Sequence, residues 1–169
     1  VLVLANGASV GTWELRGETW FPRSTGATDV RPPAGGFDQG TIGYSHERGT
    51  CVLAWGQLWE WNGLVWRRIG TGTTPSFRGS TSTNEFGMLF LGGSVQRLAG
   101  DQLVSVGSAG SIGNAAMAFD PVRAKAVVAG ASQNFLTQTF DPMTAQLATV
   151  NSVSQTSRYD PEMVYAPTL

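Results

Sequence analysis

The stretch Thr50-Cys-Val-Leu-Ala-Trp-Gly56, followed two residues on by Trp59-Glu-Trp-Asn-Gly-Leu-Val-Trp66, decides how the chain folds. Its first part is a short apolar run closed by glycine. It reads as a buried strand ending where the backbone needs positive φ or a close approach. Its second part sets aromatic residues on either side of Asn62-Gly63, the strongest short signal for a β-hairpin. Seventeen residues therefore hold a strand, a glycine and a hairpin.

The same units recur along the chain. Val1-Leu-Val-Leu-Ala-Asn-Gly7, Met88-Leu-Phe-Leu-Gly-Gly93 and Ala126-Val-Val-Ala-Gly-Ala131 repeat the closed apolar run. Their matching positions, Gly7, Gly56, Gly93 and Ala131, are spaced 49, 37 and 38 residues apart. Trp13-Glu-Leu-Arg-Gly-Glu-Thr-Trp20 matches the second hairpin at Trp13/Trp59, Glu14/Glu60, Gly17/Gly63 and Trp20/Trp66. Weaker copies run over Arg97–Leu103 and Thr139–Leu147, with leucine in place of the last tryptophan. Before each internal apolar run comes another strand and a polar turn, in Thr41–Gly49, Ser80–Gly87 and Ala115–Ala124. Four strands in roughly 40–50 residues is the period of a propeller blade.

Composition agrees. Glycine makes up 22 of 169 residues, about 13% against a usual ~7%. Charged residues are 14% against a usual ~25%, which excludes a coiled coil or helical bundle. With 41% hydrophobic residues and a net charge of -1, the chain does not match a disordered sequence. Nor does it match a nucleic-acid binder, which carries a strongly basic face. No apolar run approaches the ~18 residues that span a membrane. Ten of the eleven basic residues are arginine, as in a GC-rich genome, and a bacterial source is the expectation.

The termini complete the pattern. The segment 157–169 reads as a first strand without a successor, and Val1–Leu4 as a second strand without a predecessor. Tyr44 to Gly56 and Phe119 to Ala131 are both 12 residues, and Tyr165 to Gly7 across the joined ends is 11. The spacing predicts one blade shared by the two ends. A start in mid-strand without methionine suggests a mature product, a fragment or the ordered part of a longer chain.

On these repeats the chain resembles the kelch and galactose-oxidase-like β-propeller family, in which an aromatic strand, a Gly-Gly strand and a Trp-containing hairpin recur. The resemblance covers essentially all 169 residues. It implies an all-β propeller of about four kelch-like, four-stranded blades in a single domain. The blade-equivalents are 157–169 with 1–30, then 31–72, 73–110 and 111–156. The ring closes alone, closes with a second copy, or is one stretch of a larger propeller. Among the repeat-matched positions only Gly92-Gly93 is a true double glycine, where the others read Asn6-Gly7, Trp55-Gly56 and Gly130-Ala131. The copper-radical oxidase activity known in the family needs several histidines and a Cys–Tyr pair. With His46 as the only histidine and Cys51 as the only cysteine, that activity is not carried over.

The same count excludes zinc sites of the common Cys/His types, so no metal and no cofactor is expected. His46, beside Glu47 and Arg48, reads as a solvated turn residue, and Cys51 as a small buried apolar one. Asp120, Asp141 and Asp160 each precede proline, which is turn chemistry. No carboxylate pair of the glycosidase kind stands out, and no catalytic residue is assigned.

Trp13, Trp20, Trp59 and Trp66 occupy equivalent positions and are expected to pack between blades. Trp55 and Trp61 occur in one unit each. Loops gathered on one face of such a fold would supply a recognition surface, with arginines and aromatic residues as its contacts. The candidates are Arg31, Phe37, Asp38, Trp55, Phe77, Arg78, Arg158 and Tyr159. The leading function is a non-catalytic binding module for a protein or a glycan. The alternatives are a carbohydrate-active enzyme, and a structural assembly module of a larger secreted or particle-bound protein. The expected location is secreted or at the cell surface.

Overall fold

The computed structural model describes residues 2–5, 11–23, 32, 40–70, 74, 76–83, 85–109, 114–131 and 135–153. They contain strands and turns and no helix. No helix is therefore long and apolar enough to cross a membrane among them.

Four antiparallel sheets follow one another along the chain. The first holds β1 (Leu2–Ala5), β2 (Gly11–Arg16) and β3 (Thr19–Arg23). The second holds β4 (Thr41–Ser45), β5 (Thr50–Trp55), β6 (Gln57–Trp61) and β7 (Trp66–Ile69). The third holds β8 (Gly79–Thr83), β9 (Gly87–Leu91), β10 (Ser94–Ala99) and β11 (Gln102–Ser108). The fourth holds β12 (Asn114–Asp120), β13 (Lys125–Ala131), β14 (Phe135–Asp141) and β15 (Gln146–Val153). In each, every strand pairs with the next in sequence, so all four are simple meanders. Among the described residues β1 has β2 as its one neighbour.

Turn chemistry explains the strand ends. Gly56 alone joins β5 to β6, with φ +62° that an L side chain rarely adopts. Asp120 Oδ1 accepts the amides of Val122 and Arg123 at 2.9 and 3.2 Å, and Asp141 Oδ1 those of Met143 and Thr144 at 2.9 and 3.3 Å. These two Asp-Pro pairs thus close turns, as their sequence implied, while Asp160 lies outside the described residues. The Asn62-Gly63 hairpin is wider than a two-residue turn, because Trp61 pairs with Trp66. The Asn62 side chain sets that width by accepting the amides of Leu64 and Val65 at 2.9 and 3.0 Å.

Sheet packs on sheet in chain order. The second and third share a core of Val52, Ala54, Leu58, Ile69, Met88, Phe90 and Leu98. The third and fourth share one of Leu89, Leu91, Val95, Met117, Val128 and Phe140. Alternate residues of β9 serve the two cores, which is why Gly87–Leu91 is buried throughout. The leading strands β4, β8 and β12 also touch in succession. Gly79 permits this approach, since a Cβ there would stand 3.0 Å from the Met117 amide nitrogen. Thr41 and Ser80 hydroxyls meet at 2.9 Å across the first of these contacts.

The four repeat-matched tryptophans do not share one fate. Trp59 and Trp66 are 4% and 3% exposed, as packing residues should be. Trp13 and Trp20 are 36% and 43% exposed, against the expectation that all four pack between sheets. The face of β6–β7 that carries Trp59 and Trp66 has the first sheet against it. There the Trp66 indole donates to Thr12 Oγ1 at 2.8 Å. The face of β2–β3 that carries Trp13 and Trp20 has no described sheet against it.

Candidate functional site

A cleft of about 570 Å³ opens between the first and second sheets. Its lining includes Glu14, Tyr44, Thr50, Cys51, Trp61 and Asn62. Alternation places the Tyr44, Cys51 and Trp61 side chains there, while that of Thr50 points to the other face and donates to Glu60 Oε1. Tyr44 and Cys51 are paired partners in β4 and β5, and Trp61 pairs with Cys51 from β6, so all three rise from one face of the second sheet. Glu14 comes from the facing side of β2. The cleft lies where the β4–β5 and β6–β7 turns gather.

Each group has a defined state. Tyr44 is 48% exposed, and its ring meets His46 edge-on at 5.2 Å. His46 itself is an exposed turn residue, as its sequence setting suggested. Trp61 is buried and stacks at a tilt on Trp66, 5.5 Å between ring centres. Its indole reaches Glu14 Oε1 at 3.4 Å. Glu14 Oε2 accepts from Arg23 Nη2 and, at 3.2 Å, from Arg16 Nη2. Among the described residues Oε1 thus has one long contact and room to accept another donor. Burial pushes the Cys51 thiol up, which keeps it protonated and a poor nucleophile at neutral pH.

A second polar cluster centres on Glu60, the repeat counterpart of Glu14. Glu60 Oε1 accepts from Arg48 Nε at 2.7 Å and Thr50 Oγ1 at 2.9 Å, and Oε2 accepts from Arg67 Nε at 3.2 Å and from Arg67 Nη2. Arg48 then donates to the Gly100 carbonyl at 3.0 Å and to Asp101 Oδ1 at 2.9 Å, both in the β10–β11 turn. Burial would raise the Glu60 pKa. Hydrogen bonds from Arg48, Arg67 and Thr50 outweigh it and bring the value down to about 2. With its oxygens so occupied, Glu60 ties the second sheet to the third.

Of the loop residues singled out from sequence, the three described ones, Trp55, Phe77 and Arg78, do not line the cleft. Arg31, Phe37, Asp38, Arg158 and Tyr159 lie outside the described residues. Phe77 is 1% exposed and packs on Phe90 with ring centres 5.3 Å apart, so it is core and not a surface contact. Its flanking loop residues masked this, since one aromatic in a polar loop carries no periodicity. Trp55 is half-buried against the cluster of Leu53, Trp59, Trp61 and Trp66. Arg78 is half-buried, and its backbone amide is held by the Leu91 carbonyl at 2.8 Å. Trp55 and Arg78 stand at the end of the sheets opposite the cleft. The sequence reading missed Tyr44 as a site residue. The equivalence of Glu14 with Glu60 was the one available pointer.

Among the described residues no three of His, Cys, Asp and Glu come together as a metal site would require. Comparison with known protein families and with characterised proteins finds no match.

Proposed function

We propose that the chain is a non-catalytic, kelch-like β-propeller module that binds a glycan in the cleft between its first two sheets. The observation that carries the glycan reading is the makeup of that cleft. Tyr44 offers an aromatic face held on a rigid strand, with Trp61 behind it. Glu14 and Asn62 offer polar groups suited to sugar hydroxyls. A glycosidase needs two carboxylates about 5–10 Å apart, and among the described lining residues Glu14 is the one acid. The enzyme reading therefore ranks below the binding reading.

Titration with oligosaccharides of glucose and of N-acetylglucosamine, followed by calorimetry, tests this. Tyr44→Ala should weaken binding at least tenfold while the melting temperature stays within about 2 °C, because a half-exposed ring contributes little to the core. Release of reducing ends would favour the enzyme reading. Absence of binding across a broad glycan panel would remove the glycan from the proposal.

The propeller reading rests on four successive meanders, of which the second, third and fourth touch in order through their leading strands β4, β8 and β12. In it, the segment 157–169 adds the missing strand beside β1. Amide exchange at Leu2–Ala5 should then become at least tenfold faster in a chain lacking residues 159–169. Equal exchange in the two chains would sink the shared blade.

A further inference from the structure

We infer that the Trp13/Trp20 face of the first sheet is an interface for the fourth sheet of a second copy of this chain. The inference rests on the blade reading of the sheets and is independent of the glycan. Trp13 pairs with Pro22 and Leu15 with Trp20, so four apolar residues share one face of the β2–β3 hairpin. An exposed apolar face of this kind on a strand pair marks a contact site.

The repeat identifies what covers it. Trp59 and Trp66 are the counterparts of Trp13 and Trp20, and the surface over them is the Thr12/Glu14 face of a preceding sheet. The contact is specific: Trp66 Nε1 donates to Thr12 Oγ1 at 2.8 Å and Trp61 Nε1 reaches Glu14 Oε1. Thr12 stands four residues before Arg16, which closes its hairpin by pairing with Thr19. Thr137 stands four residues before Asp141, which closes the β14–β15 hairpin by pairing with Gln146.

Thr137 is therefore the fourth sheet's counterpart of Thr12, and it lies on the side of β14 away from Phe140. Phe140 faces the third sheet. Around Thr137, the outward side carries the small residues Ala129, Val127 and Thr139, paired across β13 and β14. Two indoles on one surface meet small side chains and a hydroxyl acceptor on the other.

Among the described residues, the fourth sheet of the same chain is the other occupant to weigh. If it sat there, Trp13 and Trp20 would be as buried as Trp59 and Trp66, and they are roughly tenfold more exposed. Two chains joined head to tail at two such contacts close on themselves as a ring of eight sheets, with no free end face.

The test is solution mass. Light scattering at about 100 µM should give about 36 kDa, twice the 17.9 kDa of one chain. The double substitution Trp13→Glu with Trp20→Glu should give a single-chain mass with an unchanged far-ultraviolet circular-dichroism spectrum. Should that variant unfold, Trp20→Arg alone is to show at least a tenfold weaker association. Tyr44→Ala, which alters the cleft, should keep the two-chain mass. A wild-type chain that stays at 17.9 kDa, or a folded tryptophan variant that still pairs, overturns the inference. Open-ended larger assemblies overturn it too.

Discussion

Replacing Phe90 with alanine should destabilise the protein by about 3–5 kcal/mol, the usual cost of removing a fully buried aromatic ring. Phe90 has no measurable exposure and sits among Val52, Leu58, Ile69, Met88 and Leu98. It also packs on Phe77 at a tilt of 41°. The cavity would open on the seam between the second and third sheets, where strands on both sides are held by paired neighbours and cannot collapse inward. For a chain of this size the loss amounts to a fall of about 10 °C or more in melting temperature. Urea unfolding checks it. A loss under about 1 kcal/mol would mean that the two sheets do not share this core.

Acid should weaken the fold through Glu60, and Glu60→Gln should remove much of that response. The Glu60 carboxyl is lowered from 4.5 to about 2 in the folded state. A depressed carboxylate contributes stability that is fully present above about 4.5 and is lost as pH falls toward about 2. The shift corresponds to about 3 kcal/mol. It applies to a group only 5% exposed, so solvent screens it little. At pH 7 the glutamine variant should therefore be less stable by about 3 kcal/mol. Near pH 2 the two proteins should unfold at nearly the same urea concentration. A difference that stays constant from pH 7 to pH 2.5 would show that the carboxylate charge is not the source.

Much of the strand pattern was legible because its signals are local. Period-two apolar runs place β5, β9 and β13, and glycine closes the first two of these runs. Asp120 and Asp141 close turns onto amides two and three residues away. The match of Trp13-Glu14 with Trp59-Glu60 identified two equivalent hairpins from sequence alone. Such signals need only neighbours along the chain or the facing strand of a hairpin.

The sites were less legible because they depend on what lies across from a sheet. The same repeat position buries Trp66 under Thr12 and leaves Trp20 in the open, since a sheet covers the first and none of the described ones covers the second. Phe77, in a polar loop, turned out to be core because the second and third sheets meet over it. Tyr44 and Glu14 line one cleft although 30 residues separate them. Arg48 reaches the Gly100 carbonyl across 52 residues of sequence. The amino-acid sequence by itself determined strands, turns and the order of four meanders, all set by interactions within a few residues. Which face of each sheet is covered was decided only by tertiary packing, because burial is a property of the surface opposite and not of the residue.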